Sequence, residues 1–205
     1  MPASELILSF ALASLLIELT PGPNMAYLAI LSVEHGRRAG LAAVAGIASG
    51  LLVIGIAAAL GLAALIDTLP LAYEVLRWAG VAYLFWLAWE GWRGSETSAA
   101  DASPAWAGRY FGRGFVTNLL NPKAFLFYVA VLPRFVDASL PVTQQTVVLS
   151  LVYVAVATVV HAGIAVLAGT ARRLSAVTQH GLAIRRFLAA ALAGVAFWLA
   201  FATAR

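Results

Sequence analysis

Two short blocks in an otherwise apolar chain carry groups able to do chemistry: Pro21-Gly22-Pro23-Asn24, and Asn118-Leu119-Leu120-Asn121-Pro122-Lys123. Each proline removes a backbone donor and crowds the carbonyl four residues earlier, while Gly22 admits a wide turn. In a hydrophobic setting every freed amide or carbonyl costs several kcal/mol unless something satisfies it. Such a break persists where it lines a wet cavity or meets protein partners. A packed kink is the bland alternative, but two prolines around a glycine, followed by asparagine, fit a cavity wall better. The second block repeats the device and adds a cation. Lys123 lies deep within the apolar stretch 114–132, out of easy reach of either membrane surface. A lysine at the bilayer centre costs at least about 2.5–3.5 kcal/mol, so it requires a polar interior and an anionic partner. A ligand carboxylate meets that demand more fully than a structural role donating to freed carbonyls.

Glu18 and His161 are the other ionisable groups at depth. Glu18 precedes the first break by less than a turn. Facing Lys123, it would form a pair that binds the ammonium and carboxylate of a zwitterion, or that exchanges protons; a fixed ion pair holding the breaks together is equally open. Histidine is the side-chain type suited to proton exchange at physiological pH, which makes His161 a coupling candidate, although such a histidine commonly just hydrogen-bonds a neighbouring helix. Other chemistries lack their residues. No glycine-rich loop ends in Gly-Lys-Ser/Thr, and no serine sits in a nucleophile elbow. His35, His161 and His180 are far apart and show no local metal-ligand spacing. Catalytic residues, metal ligands and cofactors are therefore not expected, and chemistry on a covalent bond is unsupported.

The elements that must position these groups follow from composition. Of 205 residues, 62% are hydrophobic and 11% charged, and the mean hydropathy is +0.91. Soluble domains are about a quarter charged, and a soluble fold could not hide this much apolar surface. Cysteine is absent, which excludes disulfides and thiolate sites. The net charge of +4 reports topology between hydrophobic spans rather than nucleic-acid binding. The start of the chain has an acid, Glu5, where a secretory signal would carry positive charge, so a retained first helix is expected.

About 20 apolar residues cross the hydrocarbon core. Residues 41–66 and 146–171 are clear spans, 187–204 is barely long enough, and 71–92 spans less cleanly because Glu74, Arg77 and Glu90 must snorkel or pair at its ends. Residues 4–33 and 114–132 are the two interrupted spans. The expected fold is all-α: a polytopic membrane protein of six transmembrane helices, with helices 1 and 4 broken. Arginines cluster after helices 1, 3 and 5 (Arg37 and Arg38; Arg93, Arg109 and Arg113; Arg172, Arg173, Arg185 and Arg186). The positive-inside rule puts those loops in the cytoplasm and both termini outside.

The halves correspond. Ala79-Gly80-Val81-Ala82-Tyr83-Leu84-Phe85-Trp86-Leu87-Ala88 resembles Ala193-Gly194-Val195-Ala196-Phe197-Trp198-Leu199-Ala200, and aligning Pro23 with Pro122 sets Asn24 opposite Lys123. We read one transporter domain, residues 1–205, with repeat 1 at about 1–93, a polar cytoplasmic linker at about 94–113 and repeat 2 at about 114–205. Three helices per half invert the second half, and broken helices at matching positions of inverted halves point to a binding site.

Several stretches resemble the lysine-exporter/homoserine-threonine resistance family. They are Thr20-Pro21-Gly22-Pro23-Asn24 with Gly36, Gly40, Gly46 and Gly50; Ala79-Gly80-Val81-Ala82-Tyr83-Leu84; and Gly114-Phe115-Val116-Thr117-Asn118-Leu119-Leu120-Asn121-Pro122-Lys123-Ala124 followed by Leu132-Pro133-Arg134-Phe135. The resemblance runs in order over nearly the whole chain. It implies a bacterial inner-membrane exporter of amino acids or close derivatives, driven by the proton gradient, with Pro21, Gly22, Pro23, Asn24, Asn121, Pro122 and Lys123 at the functional centre. Family members often carry a polar or ionisable residue after the second-helix glycine, where this chain reads Gly46-Ile47-Ala48-Ser49-Gly50-Leu51-Leu52-Val53. That departure turns the expectation from a dibasic substrate towards a neutral or apolar amino acid. Expected partners are this substrate, protons and the lipid bilayer; homo-oligomerisation stays open. A lipid-modifying membrane enzyme and a non-transporting scaffold are the competing classes. The first needs a nucleophile or metal cluster that is missing, and the second gives no reason to break two helices at mid-bilayer.

Overall fold

The computed structural model describes residues 4–61, 70–93, 105–175 and 181–202, and among these every regular element is helical. The first span is two helices, α1 (Ser4–Leu19) and α2 (Pro23–His35), meeting at a 60° bend. Gly36, at φ 84°, turns the chain into α3 (Arg37–Ala59). Next come α4 (Pro70–Arg93) and α5 (Ala105–Leu119). A 52° bend separates α5 from α6 (Pro122–Leu126), which runs on through a π turn (Phe127–Val131) and a 3-10 turn (Leu132–Phe135). Pro133 cannot donate to the carbonyl of Val129, so the helix widens and then tightens around it. The long α7 (Val142–Ser175) and α8 (Gly181–Ala202) complete the chain.

By length and apolarity, α3 and residues 142–170 of α7 can each cross a membrane, and each bent pair, α1–α2 and α5–α6, can do so as one span. In α8 only the shorter stretch Arg186–Trp198 is apolar. The fifth loop at 176–180 and most of the expected linker, 94–104, lie outside the described residues. Its remainder, 105–113, is helical, so α5 starts well before Gly114. The reason is amphipathicity. Tyr110 is buried, and Arg109 and Arg113 both reach Glu90 of α4, at 2.7 Å and 2.6 Å.

Of the two outcomes expected for Arg77, snorkelling or pairing, the structure shows the pairing. Arg77 is only 6% exposed, with one guanidinium nitrogen 2.6 Å from Glu74. The i,i+3 pairing holds, and the head stays inside. Large apolar side chains point outward instead, including Leu8 and Leu16 of α1, Val159 and Leu167 of α7, and Phe187, Phe197 and Phe201 of α8. A face of this kind suits lipid rather than water.

The centre is α3, packed most extensively against α5 and α7, while α4 pairs with α8 and α2 lies along α7. Small residues allow this closeness. A Cβ on Gly46 would collide with the backbone carbonyl of Phe111, and one on Gly114 with that of Ala43. The α3–α5 crossing is therefore backbone against backbone. Gly46→Leu should destabilise the protein by about 1–3 kcal/mol or more, whereas Gly163→Leu, whose Cβ meets nothing within 4 Å, should not. Thermal aggregation midpoints of the detergent-purified variants measure the difference.

Candidate functional site

At the first break, the Ile17 carbonyl, which Pro21 cannot serve, accepts from both the backbone N–H (3.0 Å) and the hydroxyl (2.6 Å) of Thr20. The chain then turns away, leaving the Thr20 carbonyl without a helical donor. At the second break Asn121 is the N-cap of α6: its side-chain oxygen accepts from the Lys123 backbone N–H at 3.0 Å, and Pro122 sits at the first helical position. Both breaks are thus built from local rules, and what joins them is side-chain chemistry.

Two contacts do the joining. The Asn24 amide donates to the Asn118 side-chain oxygen at 2.9 Å, in a buried bridge between α2 and α5. The Lys123 ammonium donates to the Thr20 carbonyl at 2.8 Å, from α6 back to the end of α1. The lysine stem passes over Gly22, where an added Cβ would stand 3.2 Å from Lys123 Cδ. Glycine here makes room for the cation.

Beside this crossing lies an open cavity of about 790 Å³. Thr20, Pro21, Gly22, Pro23 and Lys123 line it, together with the apolar Ile17, Leu126, Phe127, Ala130, Val131 and Trp198. A second, apolar cleft of about 520 Å³ adjoins it across Pro21, Gly22 and Trp198. Asn24, Asn118, Asn121 and Pro122 are buried and are not among its lining residues.

Glu18 does not pair with Lys123. It is 5% exposed and turned towards α7, where the Tyr153 hydroxyl donates to Oε1 at 2.7 Å and His161 Nε2 stands 3.1 Å from Oε2. This His161 contact is close enough for an ion pair, though off the hydrogen-bond direction, and His161 Nδ1 is buried without a hydrogen-bond partner. Glu18 and His161, singled out separately in the sequence, therefore meet each other. Tyr153 is the residue that sequence reasoning missed. Its signal was spacing: eight positions before His161, it falls on the same helical face. Tyr153 also stacks on Phe127, with ring centroids 3.8 Å apart, so the wall of the cavity touches the acid's own partner.

If the Asn24–Asn118 bridge couples the two breaks, Asn24→Ala and Asn118→Ala should be non-additive. A double-mutant cycle on unfolding in detergent should return a coupling of about 0.5–1.5 kcal/mol; additive effects would mean the bridge contributes nothing.

Residues 15–203 match the family model described as LysE type translocator. The chain is 35% identical over 164 residues to the homoserine/homoserine lactone efflux protein of Salmonella typhimurium, covering 78% of this chain and 79% of that protein. It is 34% identical over 135 residues to the leucine efflux protein of Klebsiella pneumoniae subsp. pneumoniae, covering 64% of each. No solved structure matches. A match running through both breaks and nearly the whole chain is decisive: this protein belongs to the family of LysE type translocators, which are carriers rather than enzymes.

Proposed function

We propose that the protein exports a neutral amino acid with a small or apolar side chain, by alternating access and at the expense of the proton gradient. The observation that carries this reading is the Lys123 ammonium at the edge of an apolar cavity, held by a carbonyl rather than by a carboxylate. A substrate carboxylate takes the ammonium in a charge-assisted bond, and the substrate's own ammonium takes the vacated Thr20 carbonyl. The exchange satisfies a zwitterion without a fixed acid in the wall. The apolar lining then accepts the side chain, in keeping with relatives named for homoserine and leucine efflux.

With the zwitterion so matched, Glu18 is left for the proton. The Glu18–His161–Tyr153 cluster is buried, and the Phe127–Tyr153 stack joins it to the cavity. Substrate pressing on Phe127 disturbs the hydroxyl that donates to Glu18, which links loading of the cavity to protonation of the acid.

The contacts support six spans arranged as inverted halves. α3 against α7 and α4 against α8 pair helices that correspond in the repeat. Under the alignment of Pro23 with Pro122, Asn24 reaching the end of α5 and Lys123 reaching the end of α1 are corresponding contacts. The protein resides in a bacterial inner membrane with loops 1, 3 and 5 in the cytoplasm. Reporters fused at either terminus should read as external; a cytoplasmic signal from both would reverse the orientation.

Cells loaded with leucine-, alanine- or homoserine-containing dipeptides should release the free amino acid faster when they express the protein. Lys123→Ala should lower that efflux roughly ten- to hundredfold while the protein stays inserted; undiminished efflux would remove Lys123 from the site. Glu18→Gln should keep substrate exchange across vesicles at equal pH and lose the acceleration by a pH gradient.

A further inference from the structure

The two halves are alike in sequence at their third helices but differ in how those helices meet the breaks. Aligning Pro23 with Pro122 makes Pro21 the counterpart of Leu120, and Gly80 of α4 corresponds to Gly194 of α8. Gly80 is packed on the second break so closely that a Cβ there would collide with the Leu120 carbonyl. Its counterpart is free: a Cβ at Gly194 meets nothing within 4 Å. Between Gly194 and Pro21 lies the apolar cleft of about 520 Å³, walled by Met25, Ala26 and Ala29 of α2 and by Ala191 and Val195 of α8. The corresponding glycine is in contact with the break in one half and stands clear of it in the other, where α2 and α8 touch elsewhere along their length.

We infer that Gly194 is the closing surface of the alternate state: α8 moves onto the Pro21–Gly22 break through Gly194 as α4 parts from Leu120 at Gly80. The inference rests on the inverted-repeat exporter reading above. Two features carry it. The cleft walls are small and apolar, with Ala26, Ala29, Ala191 and Gly194 at the places where helix backbones would meet, and small residues are what close helix approach requires. The second feature is that the packed arrangement already exists at Gly80, so the chain possesses the geometry that the open half would adopt. Closure also brings Trp198, which lines both the cleft and the Lys123 cavity, down over the substrate. The two cavities thus collapse together, and a substrate held at Lys123 is committed to the opposite face. Inverted halves that exchange packings interconvert two equivalent arrangements, which keeps the free-energy gap between the states small.

The chain has no cysteine of its own, so a designed pair reports closure without background. Ala26→Cys and Ala191→Cys stand on opposite walls of the cleft. Closure should bring their Cβ atoms within about 3.5–4.5 Å, and the pair should form a disulfide under mild oxidation in vesicles. Adding Gly194→Leu should slow that cross-link about tenfold or more and lower efflux of small and large substrates alike, with the protein inserting and eluting as the parent does. A cross-link that never forms, or one indifferent to Gly194→Leu, would overturn the inference. So would loss of large substrates alone, which would make the cleft a side-chain pocket. If the cross-link behaves as expected but the parent protein exports no amino acid, the export reading fails and the closure stands.

Discussion

A cation in hydrocarbon must be answered, and the rest of this structure follows from how Lys123 is answered. The ammonium rests on the Thr20 carbonyl, which is available only because Pro21 turns the chain away from helix. That second proline-containing break in turn gives Lys123 its position, since Asn121 caps the helix whose first turn carries it. Neither break is sustainable alone: one offers an acceptor without a donor, the other a charge without an acceptor. Their meeting forces α1–α2 and α5–α6 to cross, and the crossing leaves the cavity beside it. A carbonyl is also a partner that can be exchanged. A fixed carboxylate would hold the lysine far more tightly and leave a substrate little to gain.

The breaks, and the lysine within one of them, were legible in the sequence because proline, asparagine and charge are each costly in an apolar helix, so their presence is informative. Family membership was legible for the same reason. Less accessible were matters of rotation about a helix axis. Glu18 stands close to Lys123 along the chain direction, yet its side chain faces α7, and only the packing of α1 on α7 decides that. The Arg77 side chain stays inside, which its position near a helix end did not reveal. It is paired with Glu74 and set over the Trp78 ring of its own helix, and how deeply that cluster is buried depends on packing that one-dimensional periodicity does not describe. The start of α5 was hidden for a related reason: glycines and arginines over 105–113 read as linker, until Glu90 of α4 supplies the partner that makes them a helix face.

Between site and acid cluster the structure uses aromatic rings rather than charges. Phe127 touches both the cavity and Tyr153, and Phe10 stands 5.6 Å from Phe127. Rings transmit displacement without carrying charge, so the wall of the cavity can move against the acid's partner without placing another ion in the low-dielectric interior. The π turn at Phe127–Val131 fits this arrangement, because it loosens the helix where that displacement begins.

The Asn24–Asn118 bridge has an electrical consequence. It is an amide-to-amide contact, neutral at any pH a cell meets, and it ties the two halves where the bends occur. Membrane voltage acts on charge displaced along the field, about 2.3 kcal/mol per elementary charge per 100 mV. The bridge itself therefore feels no voltage, which acts instead on the charged groups set at depth, Lys123 and Glu18 among them, and on any net charge the cargo carries. A joint deaf to voltage lets the two bends keep their geometry while the energised state of the membrane rises and falls.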